Sequence, residues 1–391
     1  MAAFLALGGA VACAETVGVG QQAWWYKSMD LAAAHQVTTG TGAVIGVIDS
    51  QIDPDVPELR GQHVVPVRNF CGGGATGKGA AAAHGTSVVV NIAGSGVGTA
   101  PGGVGVAGVA PDATVRTYAV EDATSTLSSV NCVGADEAEA VASALVTAAA
   151  DGARVITTSL GGDDSPVLHD AVNAVLRSGA VLIAATGDGP VDRSVRYPAA
   201  YPGVVAVAAV DSAGAPWTGN VIEDRKAFVI SAPGADIPTG SFQNGRWSSQ
   251  VIYSGTSEAT PLVAGSLALV AAKYPNATGN QLIQTLIHNP AGNRPFGFDT
   301  EYGYGIVSPQ KMLAVDPTQY PDVNPLLPPE PSAAPTEAPT TAAPAAPNST
   351  PTPAPLAAPK ANTDIPPWLL PAGLVFIVAS AWASKRWARR S

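Results

Sequence analysis

Basic residues are scarce in this chain: 20 Lys and Arg stand against 30 Asp and Glu, and charged residues of either sign fill only 13% of 391 positions. That shortage excludes the phosphate-neutralising stripe on which nucleic-acid binding depends. Cysteine is nearly absent, at three residues, and there are only five histidines, so few side chains compete for the role of a base. No internal repeat is visible. What is present is abundant Gly and Ala, a formal net charge of -10 and a sequence pI near 4.9. This balance suits an extracytoplasmic α/β enzyme, as it suits other soluble proteins, and the length allows one large domain with a sizeable core.

The two ends carry address signals. Phe4 to Val11 is an apolar run closed by Ala12-Cys13-Ala14, a small-x-small pattern that predicts cleavage after Ala14 and a leader over residues 1–14. No Lys or Arg precedes the run, which points to a start further upstream; a lipoprotein role for Cys13 is the alternative, for which Ala10 is a poor opening residue. Residues 365–384 read IPPWLLPAGLVFIVASAWAS, and as a helix they extend roughly 30 Å, the thickness of a hydrocarbon core. Trp368 and Trp382 stand where interfacial aromatics belong, and the tail 385–391 carries Lys385, Arg386, Arg389 and Arg390. The positive-inside rule therefore predicts a single-pass bacterial membrane protein with its tail in the cytoplasm and everything before the span outside. Residues 319–364, rich in Pro, Ala and Thr, are expected to form an extended linker. Once the leader is removed, Cys71 and Cys132 remain, and in an oxidising compartment two loop cysteines are expected to pair.

Between the ends, short apolar runs alternate with helical patterns. Val44–Ile48, Thr114–Val120, Val155–Ser159, Val181–Ala185 and Val204–Val210 read as strands buried on both faces. His84–Ala93, Asp136–Ala150, Val167–Ser178, Ser257–Lys273 and Gly279–Ile287 read as helices, the last with Thr278 as N-cap. The order predicts an α/β fold, a parallel central sheet with helices on both faces, over residues 43–318. Residues 15–42 contain Trp24, Trp25 and Tyr26, too aromatic for a free tail, and are expected to pack on that domain.

Three short motifs carry chemistry. Ser257, in Gly255-Thr256-Ser257-Glu258-Ala259-Thr260-Pro261, opens an apolar helical run, where the helix dipole and a preceding glycine favour a reacting group. A serine hydroxyl needs a base, and the base needs an acid to fix its tautomer. Asp49 ends the strand Val44–Ile48, and His84 opens His84-Gly85-Thr86-Ser87. Asp, His and Ser in this order, with these surroundings, resemble the subtilase family and differ from the orders in chymotrypsin-like proteases and α/β-hydrolases. Gly108-Val109-Ala110-Pro111, Tyr197-Pro198-Ala199 and Ser231-Ala232-Pro233-Gly234 add to the likeness, which covers about residues 20 to 315.

The resemblance implies a serine endopeptidase with Asp49, His84 and Ser257 as catalytic triad, and Ser159-Leu160-Gly161 as one wall of the substrate cleft, pairing with an extended peptide as an added strand. The Gly-rich loop Gly94–Gly108 is a candidate for the opposite wall. An exported N-terminus, a wrapping segment, a Pro-rich linker and one C-terminal membrane helix together resemble the mycosins, the membrane-anchored proteases of type VII secretion. That likeness implies protein or peptide substrates and partners in the secretion membrane complex. No metal or organic cofactor is implied, and Asp53 and Asp55 are read as solvated or substrate-facing.

One position departs from the family. Thr186-Gly187-Asp188-Gly189 puts Asp188 where subtilases place the asparagine that donates to the oxyanion. An ionised carboxylate cannot donate and repels developing negative charge. Three readings stay open: a protonated Asp188 and an acid optimum, a slow enzyme that relies on backbone donors, or an inactive scaffold that stabilises the secretion complex.

Overall fold

The computed structural model describes residues 18–121, 132, 136–293 and 295–328. The expected leader 1–14, the membrane helix 365–384 and the basic tail lie outside these residues, and among the described residues no helix is long and apolar enough to cross a membrane.

The strands are β1 (Val44–Asp49), β2 (Val64–Asn69), β3 (Ser95–Ala100), β4 (Val104–Ala107), β5 (Thr114–Ala119) and β6 (Val155–Thr158), then β7 (Val181–Ala185), β8 (Val205–Val210), β9 (Ile230–Pro233), β10 (Ile237–Gln243) and β11 (Arg246–Tyr253). Seven of them form a parallel sheet in the order β2-β5-β1-β6-β7-β8-β9. Every residue of β6, β7 and β8 is buried, as a parallel sheet covered on both faces requires. The helices are α1 (Trp24–Ser28), α2 (Leu31–His35), α3 (Ala83–Ala93), α4 (Glu137–Ala150), α5 (Pro166–Arg177), α6 (Thr256–Lys273), α7 (Gly279–His288) and α8 (Pro309–Leu313). Against the sheet, α4 packs with α5, and α3 packs with α6. Helix α6 is apolar on all sides and almost wholly buried, the pattern of a helix running through a core.

Local sequence sets the helix starts. Asp136 caps α4 by accepting from the Ala138 N–H at 2.8 Å. Thr278 and Gln281 form a reciprocal capping box on α7. The N-terminal segment is held by its aromatics: Trp25 is fully buried, its indole donates to the Pro238 carbonyl at 3.2 Å, and Trp24 donates to that of Asp236 at 2.9 Å. His35 bridges the Tyr26 hydroxyl and the Val109 carbonyl. A disulfide joins Cys71 to Cys132, closing a separation of 61 residues.

Two readings of the sequence need correction. The Gly94–Gly108 stretch is the antiparallel hairpin β3–β4, which packs on β10–β11. There the Thr99 N–H meets the Ser249 hydroxyl at 2.8 Å, and the Ser249 N–H meets the Thr99 hydroxyl at 2.9 Å. Residues 319–328, assigned to the linker on proline content, are docked. Asp322 accepts from Thr278 at 2.6 Å and Asn280 at 2.9 Å, and Asn324 donates to the Gly203 carbonyl at 3.1 Å. Composition registers the prolines of that stretch but not the partners that Asp322 and Asn324 find on the domain.

Candidate active site

The strand order β1-β6-β7 brings three carboxyl ends side by side, the place where open parallel sheets bind ligands. Asp49 ends β1, Ser159 follows β6 and Asp188 follows β7 by three residues. The paired helices α3 and α6 aim their first turns at the same place and deliver His84 and Ser257. Two close approaches explain the motif glycines. A Cβ on Gly85 would meet the Ser50 carbonyl oxygen at 2.7 Å, and one on Gly255 would meet an Asp188 carboxylate oxygen at 2.9 Å. Side chains tie the turn after β1 to the start of α3: the Gly85 N–H donates to the Ser50 hydroxyl at 2.8 Å, and the Asp53 N–H to that of Thr86 at 2.9 Å.

His84 Nδ1 lies 2.7 Å from Asp49 Oδ1, which also accepts the Ser50 N–H at 2.7 Å. Asp49 is buried, and the His84 side chain is 19% exposed. Burial disfavours the imidazolium, but the charge and hydrogen bond of Asp49, with the charges of Glu258 and Glu121, outweigh it and raise the His84 pKa to about 9. Ser257 Oγ donates to the Ser159 carbonyl at 3.1 Å rather than to His84, and Ser159 Oγ returns a bond to the Ser257 carbonyl at 3.0 Å.

His84, Asp188 and Ser257 are shared by two grooves. One, of about 310 Å³, runs past Ser159, Leu160 and Gly161 to Arg196; the other, of about 240 Å³, runs past Ser87, Ser241, Tyr253 and Ser254 to Glu258. The hairpin β3–β4 lines neither, and neither do Asp53 and Asp55. Asp53 is buried, against expectation, and caps the Asp55 N–H at 3.0 Å, while exposed Asp55 faces Lys78 at 3.6 Å.

Asp188 Oδ1 accepts from both the N–H and the hydroxyl of Thr256, each at 2.8 Å. Burial pushes its pKa up, the two Thr256 bonds pull it down, Asp192 adds to the rise and His84 opposes it. Sequence reading missed Glu258, which is buried beside Ser257 and accepts from the Asn91 amide at 2.7 Å. Burial raises its pKa to about 7, against the pull of His84 and Asn91 and with a push from Asp188 and Asp49. A lone acid opening the otherwise apolar run of α6 was the available signal.

Comparison with known proteins decides the family: the subtilase family model matches residues 40–305. The chain belongs to the subtilase family. It is 30% identical over 316 residues to fervidolysin of Fervidobacterium pennivorans, covering 75% of this subtilase but only 42% of fervidolysin. It covers 39% of the minor extracellular protease Epr of Bacillus subtilis. With subtilisin of Bacillus pumilus it shares 31% over 280 residues, 70% of this chain and 91% of that one. Among solved structures, the MycP3 protease from the type VII (ESX-3) secretion system superposes with a TM-score of 0.61 at 29% identity, over 76% of this subtilase and 88% of MycP3. The mycosin resemblance read from the sequence is thereby borne out.

Proposed function

We propose that this subtilase is a serine endopeptidase of the mycosin kind, exported by residues 1–14, anchored in the bacterial cell membrane by residues 365–384 and working outside the cytoplasm on protein substrates beside the type VII secretion complex. Ser257 Oγ attacks the peptide carbonyl while His84 Nε2 takes its proton. Asp49, bonded to Nδ1, holds the tautomer in which Nε2 is the base and steadies the imidazolium. His84 then gives the proton to the leaving amine as the C–N bond breaks, and water repeats the cycle on the acyl-enzyme. The reading rests most on one observation: the 2.7 Å contact of Asp49 and His84 opens onto the groove that Ser257 lines. An incoming substrate N–H that takes the Ser159 carbonyl, as an added strand does, frees Ser257 Oγ to turn to His84.

Asp188 weakens oxyanion stabilisation. Its Oδ1 is occupied by Thr256, and its Oδ2 has no hydrogen-bond donor among the described residues. The high pKa of His84 speaks against an acid optimum, because the neutral base grows only as pH approaches about 9. A second reading, a slow or inactive scaffold of the secretion complex, is favoured by Asp188 and by the Ser257 bond to Ser159. Fluorophosphonate labelling separates the two. Labelling of the wild type and not of Ser257→Ala supports the protease; an unlabelled wild type between pH 5 and pH 9 leaves the scaffold.

A further inference from the structure

The groove on the Glu258 side has no assigned role, and its chemistry is unlike that of the other. Its charged lining is Glu258, Asp188 and His84, and the rest is largely hydroxyl-bearing: Ser87, Ser241, Tyr253 and Ser254. Glu258 is 4% exposed, yet the structure uses only half of it. Oε2 takes the Asn91 amide, and Asn91 passes the network on to the Thr239 hydroxyl at 2.8 Å. Oε1 has no donor among the described residues. A structural role accounts for Oε2 alone. Helix α6 presents Glu258 in its first turn, where the dipole favours an anion; no Lys or Arg lines the groove, and the cation facing Glu258 there is the His84 imidazolium, against the two carboxylates of Glu258 and Asp188.

Resting on the proposed peptidase reading, the acyl half of a substrate lies along Ser159–Gly161, so the amine half leaves Ser257 on the other side. We infer that the Glu258 groove receives the first side chain after the scissile bond and selects a lysine or arginine there. The groove, at about 240 Å³, has room for one long side chain. A charge-assisted bond to the open Oε1 completes the half-used carboxylate, and the hydroxyls accept the remaining N–H groups. An acidic side chain would meet Glu258 and Asp188 and be rejected.

The groups facing Glu258 are His84 from α3, Asp188 after β7 and Asp49 from β1. Burial, against the pull of His84 and Asn91 and with a smaller push from Asp188 and Asp49, puts its titration near pH 7, so selectivity for a cation grows as pH rises from 6 to 8 and the carboxyl ionises.

The test reads binding, which is independent of turnover. The full chain carrying Ser257→Ala is titrated with three peptides identical except for lysine, norleucine or glutamate at that position. The expected result is tenfold or tighter binding of the lysine peptide over norleucine at pH 8, a smaller ratio at pH 6, and further weakening for glutamate. In the Glu258→Gln background, where the amide oxygen can still accept from Asn91, the lysine preference falls to within twofold. Three peptides binding within twofold of one another to Ser257→Ala overturn the inference without any variant at Glu258, and so does a lysine preference that survives Glu258→Gln. Fluorophosphonate labelling of the wild type is scored separately. Labelling without charge selectivity defeats the groove assignment alone, and selectivity without labelling keeps the groove and defeats the peptidase reading.

Discussion

Two glutamates are buried among the described residues, and their surroundings differ. Glu58, under the hairpin β3–β4, is fully satisfied: Trp247 Nε1 donates to one oxygen at 2.8 Å and the Ser249 hydroxyl to the other. Glu258, beside Ser257, has one oxygen bonded and one facing a groove. Both lie where carboxylates are costly. The first region closes on itself and behaves as core; the second leaves acceptors open, as a site that meets a ligand must. Between these two acids, unfinished hydrogen bonding, more than burial, marks the one at the groove.

Substitutions can break or sharpen that contrast. Ser257→Ala should lower peptide cleavage by about 10⁴-fold or more, with a urea midpoint within experimental scatter of the wild type; an unchanged rate would remove Ser257 from the chemistry. Glu58→Ala should do the reverse. Stranding the Trp247 N–H and the Ser249 hydroxyl costs about 3 kcal/mol in urea unfolding, while the rate per folded molecule stays within twofold. Asp188→Asn keeps an oxygen for Thr256 and turns an NH₂ toward the groove, so kcat/KM at pH 7 should rise about tenfold or more. Equal rates for the two proteins would show that this position faces no oxyanion.

The smallest effect concerns pH. Since the His84 pKa is raised to about 9, kcat/KM of the wild type should climb about tenfold per unit below that value. Glu258→Gln removes one anion that favours the imidazolium and should move the limb down by about half a unit, roughly threefold in rate at pH 7. Stability follows the same logic. Glu258 binds its proton more tightly in the folded chain, its pKa lying near 7 against an ordinary 4.5, so stability falls as pH rises between those values. Urea titrations at pH 5 and pH 7 should show a smaller drop for Glu258→Gln.

The central sheet was legible because its inner strands are continuous apolar runs: Val181–Ala185 matches β7 to the residue, and β1, β5, β6 and β8 differ at one end only. The edge strand β2 was not, since Pro66 interrupts it and exposure breaks its pattern. Nor was β10–β11, whose burial serves polar partners such as Ser249. At the site, Asp49, His84 and Ser257 stood out by motif, and the structure brings all three to one groove system. The bond from Ser257 to Ser159, the Thr256 grip on Asp188 and the half-used Glu258 depend on distances between segments roughly 70 to 170 residues apart, which no local pattern encodes.

The indoles of Trp24 and Trp25 reach carbonyls 212 and 213 residues further along the chain. During synthesis these rings emerge before the central sheet, yet their acceptors, Asp236 just before β10 and Pro238 on it, are made only after the last strand of that sheet, β9. These residues must therefore wait, ungrasped, until the whole central sheet has been translated, and contacts of such sequence separation form slowly. A ribosome-bound chain halted before residue 236 should accordingly leave both tryptophans in water, their fluorescence moving to the blue only when β10 arrives.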